Sequence, residues 1–393
     1  MATHPISTDT DNLPGPAAEQ SPERPVATSE TKTKKKLIRR TDANNSQKLR
    51  RIFQFAFVAL NLYLGVVFYM WTLYYETGGT RGWNVERPAG VEGWLPIAAL
   101  MNLKYAILTQ AIPKIHPAAM FLLVAFLTMS VLLKKSFCSW LCPVGTLSEY
   151  LWKFGRKVFH TNIKVHRYAD IPLRGLKYLL LGFFVYIIGE MSAIALAQFL
   201  ETPYGIIADV KMLNFFRDMS DTALLVVTVL VALSIFIQNV WCRYLCPYGA
   251  LLGIISMLSP AKIRRDADAC IDCAKCAKAC PSSLPVDKLV KIQSAECTAC
   301  MECVAACPAE DALQFALPPR RAGEPGTQPG NPAIAARWKS RTLQPWAVAA
   351  AIALVFFGIV GYAKISGHWQ TNIPSSVYME LVPRAGESGH PGM

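Results

Sequence analysis

The sequence predicts an all-α polytopic membrane protein of about five transmembrane helices, with a two-fold internal repeat and a small α+β domain inserted before the last helix. Three observations predict it. Only 17% of residues are charged and 52% are hydrophobic, whereas an average soluble domain is about 25% charged. Uncharged runs near the roughly 20 residues needed to cross a bilayer recur along the chain. Two copies of the spacing C-x2-C-x2-C-x3-C-P lie between Cys270 and Pro308. The net charge of +13 does not point to nucleic acid, because Lys and Arg cluster beside the apolar runs, as membrane orientation requires. No nucleic-acid partner is expected, and membrane lipid is.

Residues 1–50 are polar and rich in Pro, Ser, Thr and Lys, too poor in apolar surface for a core, and read as a disordered cytoplasmic tail. Residues 51–259 read as a four-helix transmembrane region. Its first span is Ile52–Tyr75, uncharged over 24 residues, with Trp71, Tyr74 and Tyr75 as an aromatic belt. Residues 95–112 are apolar but short, carry Lys104 and end at Pro113, which suits a re-entrant or interfacial helix. The second span is Pro117–Leu133, the third Leu179–Leu200 with Glu190 inside it, and the fourth Thr222–Trp241. Residues 260–317 form the cysteine-rich domain and 318–342 a Pro/Gly/Arg linker. A fifth span follows at 343–363, and then a polar tail, 364–393.

Orientation follows from the cations. Residues 32–51 carry nine Lys and Arg, 76–116 four, 134–177 nine, and 201–221 two. The basic segments belong inside. This places the N-terminus and the cysteine-rich domain on the cytoplasmic side of a membrane and the C-terminus outside. Thiol-rich segments also fit a reducing compartment.

The eight cysteines of the repeated spacing follow the bacterial two-cluster ferredoxin pattern. Three thiolates on one loop take three corners of a cubane, and the Cys before Pro ligates the other cluster. The first 4Fe-4S cluster is assigned to Cys270, Cys273, Cys276 and Cys307, the second to Cys297, Cys300, Cys303 and Cys280. Small residues between ligands, including Ala274, Ala277 and Ala299, let the backbone close around each cluster. Zinc usually shows two separated Cys pairs, and a disulfide scaffold needs a secreted setting.

The other four cysteines form a second pair of motifs, at 138–143 and 242–247. Cys138-Ser-Trp-Leu-Cys142-Pro143-Val-Gly145-Thr-Leu147 and Cys242-Arg-Tyr-Leu-Cys246-Pro247-Tyr-Gly249-Ala-Leu251 match at six of ten positions. Each follows an inward-running helix, so both halves run the same way about an axis along the membrane normal. If that axis brings them together, Cys138, Cys142, Cys242 and Cys246 converge below the membrane. They then ligate a third metal centre, form a redox dithiol, or pack as small buried hydrophobes.

Two inward helices each ending in CxxxCP, followed by a dicluster ferredoxin, resemble the NapH/NosR type of membrane polyferredoxin, including its YccM-like members. CcoG-type oxidase assembly proteins are a more distant likeness. The resemblance covers about residues 50–317. It implies an integral membrane electron-transfer protein linked to a quinone or to a periplasmic redox partner. It is more an electron-transfer subunit than a stand-alone enzyme. The short polar N-terminal tail is not expected to form NosR's flavin domain. The fifth span departs from a minimal NapH. A copper or iron reductase acting in metalloenzyme assembly, and a membrane redox sensor, are the alternative expectations.

Glu190, a carboxylate inside a span, is a candidate for proton or quinone work. His116 is expected to mark the start of a helix rather than to ligate haem. No span carries a His and no CxxCH occurs, so haem is not expected. No dinucleotide or P-loop fingerprint is present, so neither flavin nor nucleotide is expected.

Overall fold

The computed structural model describes residues 38–40, 45–160, 162–163, 165–318 and 341–387. Most of the expected N-terminal tail, and the linker apart from its ends, lie outside the described residues. The chain is mostly helical. Helix α1 (Ser46–Glu76) leads through a 3-10 turn (Ala89–Trp94) to α2 (Pro96–Thr109) and α3 (Pro117–Leu133). Helices α2 and α3 both open on Pro, where a missing N–H costs nothing. Helix α3 is apolar all round and therefore belongs inside. It is sheathed by α2, by α11 (Pro247–Ser256) and by α14 (Pro345–Ile365).

Between α3 and α11 run α4 (Ser136–Trp140), the amphipathic α5 (Pro143–Phe159) and α6 (Arg167–Glu190). Then come α7 (Ala193–Leu200), α8 (Pro203–Ile206), α9 (Ala208–Arg217) and α10 (Asp221–Phe236). Among the described residues three helices are long and apolar enough to cross a membrane: α1, residues 168–190 of α6, and α14. A fourth crossing results if α9 and α10, bent by 80°, count as one.

Several expected boundaries move. The first helix begins at Ser46, inside the stretch read as tail. Ile38–Arg40 are also placed: Arg39 pairs with Ala309 in a β-bridge. The third span is not Leu179–Leu200. Helix α6 already begins at Arg167, because its charged first turns are paired rather than solvated: Asp170 binds Arg174 at 2.6 Å and Arg243 at 2.8 Å. The helix ends at Glu190, where Ser192 starts α7 by accepting a hydrogen bond from the Ala195 amide. The fourth apolar helix stops at Phe236, not Trp241. The expected C-terminal tail contains α15 (Ser375–Leu381), whose Tyr378 packs edge-on against Trp71.

The small domain closes on β1 (Lys262–Arg265) and β2 (Leu313–Ala316), antiparallel with Ile263 opposite Phe315. Ile263, Val286, Ile292, Leu313 and Phe315 form its buried core. The short helices α12 (Lys275–Ala279) and α13 (Glu302–Ala305) each carry the third Cys of one motif.

Candidate redox centres

The two C-x2-C-x2-C loops have the same backbone. Asp272 and Ala274 follow Cys270 by two and four residues, with φ of 53° and 53°. Ala299 and Met301 follow Cys297 by the same steps, with φ of 50° and 56°. Left-handed residues at alternate positions turn the two loops in the same way. Electrostatic proximity sorts the eight thiols into two sets. Cys303 lies beside Cys300, Cys297 and Cys280, and only then Cys276. Cys307 lies near Cys273 and Cys270, and Cys276 near Cys307 and Cys270. Cys280, Cys297, Cys300 and Cys303 also line one small cavity. Each set thus borrows its fourth thiol from the other motif.

The two sets differ in exposure. Cys273 is exposed and Cys270 half-buried, whereas Cys297, Cys300 and Cys303 are buried. Burial pushes the Cys300 thiol up to about 12, although the Arg50 guanidinium nearby pulls it down. Among the described residues no three His, Cys, Asp or Glu side chains close on one point as a single metal ion requires. A cubane holds its thiolates apart, one to each iron, and the soft all-sulfur donor sets fit it.

The 294–302 segment, which carries Cys297 and Cys300, is bolted to the helical region. The Lys134 ammonium donates to the Ser294 carbonyl at 2.9 Å, and the Ser139 hydroxyl to the Thr298 carbonyl at 2.6 Å. The Trp140 indole N–H donates to the Ala299 carbonyl at 3.3 Å, and the Gln47 amide to the Cys300 carbonyl at 2.9 Å. Lys177 binds both Glu296 oxygens, at 2.6 and 2.8 Å. Arg50, buried, spans Glu149 at 2.6 Å and Glu302 at 2.8 Å. Burial opposes ionisation of Glu149, but Arg50 and Lys153 outweigh it and hold the carboxyl at about 2.

The CxxxCP motifs also share a local structure. Cys142 and Cys246 are extended N-caps of α5 and α11, each followed by Pro at the first helical position. The Gly145 amide donates to the Cys142 sulfur at 3.5 Å and the Gly249 amide to the Cys246 sulfur at 3.2 Å. Gly145 is required sterically: a Cβ there would stand 2.2 Å from the Cys138 carbonyl oxygen. One difference is that Ser136–Trp140 is α-helical, whereas Trp241–Leu245 is a π-turn. All four thiols come together. Cys242 lies beside Cys142, Cys246 and Cys138, and burial pushes it well above the ordinary thiol range. Burial pushes Cys138 up to about 11 and Cys142 to about 12. The four line a cavity of about 1260 Å³ that is also lined by Phe57, Leu64, Phe356, Trp83 and Arg87.

Glu190 does not join them. It is exposed at the end of α6, outside a span interior and outside the lining of this cavity. Lys104 caps that helix end by donating to the carbonyls of Ile188, Gly189 and Met191. The sequence reading missed a buried ionic network. Arg87 pairs with Glu92 at 2.7 Å and Asp209 at 2.6 Å, and His116 joins it at 3.3 Å from Glu92. The only sequence signal was His116 before Pro117, which by itself names no partner.

Comparison with known proteins agrees with this geometry. A family model described as a 4Fe-4S dicluster domain matches residues 262–308. A second, described as a 4Fe-4S binding domain, matches residues 115–162 and 222–266, one segment around each CxxxCP motif. YccM of Escherichia coli (strain K12), named as a candidate electron transport protein, is 49% identical over 349 residues, which is 89% of this chain and 94% of that protein. The regulatory protein NosR of Pseudomonas aeruginosa is 32% identical over 41% of this chain and 22% of its own length. The ferredoxin-type protein NapH of Escherichia coli (strain K12) is 27% identical over 38% of this chain and 48% of its own. No solved structure matches the chain. With nearly all of YccM aligned, and with both 4Fe-4S models falling on the cysteine motifs, the chain belongs to the YccM-like family of electron transport proteins, which carry ferredoxin-type 4Fe-4S domains and are related to NapH and NosR.

Proposed function

We propose that this chain is a bacterial inner-membrane protein that passes single electrons between a donor or acceptor at the ferredoxin face and a quinone or redox partner protein at the membrane. Cys270, Cys273, Cys276 and Cys307 hold one 4Fe-4S cluster, and Cys297, Cys300, Cys303 and Cys280 hold a second. Cys138, Cys142, Cys242 and Cys246 hold a third centre. When bound, these groups supply one-electron transfer at potentials set by their surroundings. The observation that carries the reading is the seating of Cys297–Cys300 directly on Ser139 and Trp140, next to Cys138. Exposure of Cys273 leaves the first set open to a soluble partner.

The protein's own contribution is rigidity and exclusion of water. Six polar contacts from α1, α4, α6 and the α3–α4 junction fix the 294–302 segment, and Trp140, fully buried, seals the junction. In this reading α1, α3, α6, α10 and α14 make five crossings, the two CxxxCP halves are a repeat, and the ferredoxin lies on the cytoplasmic side. The apolar cavity beside the four thiols suits a lipid-soluble redox carrier.

The test is iron and acid-labile sulfide on anaerobically purified chain, with spectra after reduction by quinol in membranes. About twelve irons per chain and quinol-reducible clusters are expected for three cubanes. A chain free of iron, or clusters inert to both quinol and membrane partners, would overturn the proposal. Intact turnover in a deletion strain with a metal-deficient client enzyme would move the assignment to assembly.

A further inference from the structure

Lys135 has no place in the electron-transfer reading so far, and its surroundings are unusual. It stands three residues before Cys138 and is 2% exposed. Its side chain crosses to the second motif: a Cβ on Gly249 would lie 3.4 Å from the Lys135 ammonium. Among the described residues that ammonium makes no hydrogen bond and no ion pair within 4 Å, and it lines the cavity with all four thiols. The carboxylate that acts on it, Glu296, is already held through both oxygens by Lys177. The groups that favour its charge are Cys138 first, then Glu296, Cys242 and Cys246, while the cations Lys134 and Lys177 and the Tyr178 phenol also lie in its electrostatic reach.

A buried, unpaired ammonium is costly. Four protonated thiols, or two disulfides, would leave it so. Four thiolates around a metal cluster are a net anion in either redox state and remove the cost on both sides. We propose that Lys135 is the buried counter-charge of the four-cysteine centre and raises its reduction potential. This rests on reading those cysteines as a metal-thiolate site. Reduction adds one negative charge to the centre, and a fixed ammonium stabilises that state more than the oxidised one. Motif one thus supplies the charge, and motif two, through Gly249, supplies the space.

The test is a redox titration of the full chain by electron paramagnetic resonance, comparing wild type, Lys135→Met and Lys135→Arg. In Lys135→Met the oxidised-to-reduced ratio of the third centre at fixed poise should rise at least tenfold, a midpoint more negative by about 59 mV or more. The two ferredoxin signals should stay put, and Lys135→Arg should track wild type. Loss of the third centre's iron in Lys135→Met but not in Lys135→Arg would also support a required charge. An unchanged midpoint in Lys135→Met, or loss of the centre in both variants, would overturn it. A wild-type chain with about eight irons and no response to Cys142→Ser would instead sink the underlying site reading.

Discussion

The chain gathers thiols in two ways. In the ferredoxin each motif places three cysteines on one short loop with left-handed residues at matching positions, and the fourth comes from the neighbouring loop. In the helical region two cysteines come from Cys138–Cys142 and two from Cys242–Cys246, and only the packing of α3, α6 and α11 brings them together. The first kind of thiol set is specified by local backbone geometry. The second is a product of the tertiary fold, so it should fail for different reasons.

The largest expected effect separates the two directly. Cys303→Ser should cost about four irons per chain and loosen the ferredoxin, because α13 and the strand pair fold around that thiol; iron analysis and protease sensitivity check it. Cys246→Ser should remove only the third centre's iron and leave the ferredoxin signals intact. If Cys246→Ser also empties the ferredoxin, the two centres are not built independently.

Arg50→Met tests the joint between the two regions. It leaves Glu149 to Lys153 and the Gln54 amide, and Glu302 to Lys153, and breaking such a buried pair costs about 4 kcal/mol. Thermal unfolding in detergent should show that loss with iron content unchanged in the folded protein.

A smaller effect lies away from both centres. Burial opposes ionisation of Glu92, but Arg87 and His116 outweigh it and hold the carboxyl at about 2, against an ordinary 4.5. A depressed carboxyl stabilises the fold fully above its unfolded value. That contribution, on the order of 3 kcal/mol, is lost as pH falls from about 4.5 to about 2. Wild-type stability should therefore drop over that window with no loss of either centre's spectrum at its upper edge, and Glu92→Gln should flatten the slope.

The eight ferredoxin cysteines and the apolar α1, α3 and α14 were legible because each signal is local: a fixed spacing, or an unbroken apolar run. The boundaries of α6 were not. Asp170 and Lys177 read as loop until Arg243 and Glu296, far along the chain, supply their partners. His116 and Lys104 looked incidental for the same reason.

The sequence by itself determined what chemistry is present: thiols in cluster spacing, helices for a bilayer, and a doubled CxxxCP motif. Only the tertiary structure decided which four thiols meet, that Lys135 joins them, and that Glu190 does not. Spacing within a loop is set by covalent geometry. Convergence across a hundred residues depends on how helices pack, and no short stretch of sequence encodes that.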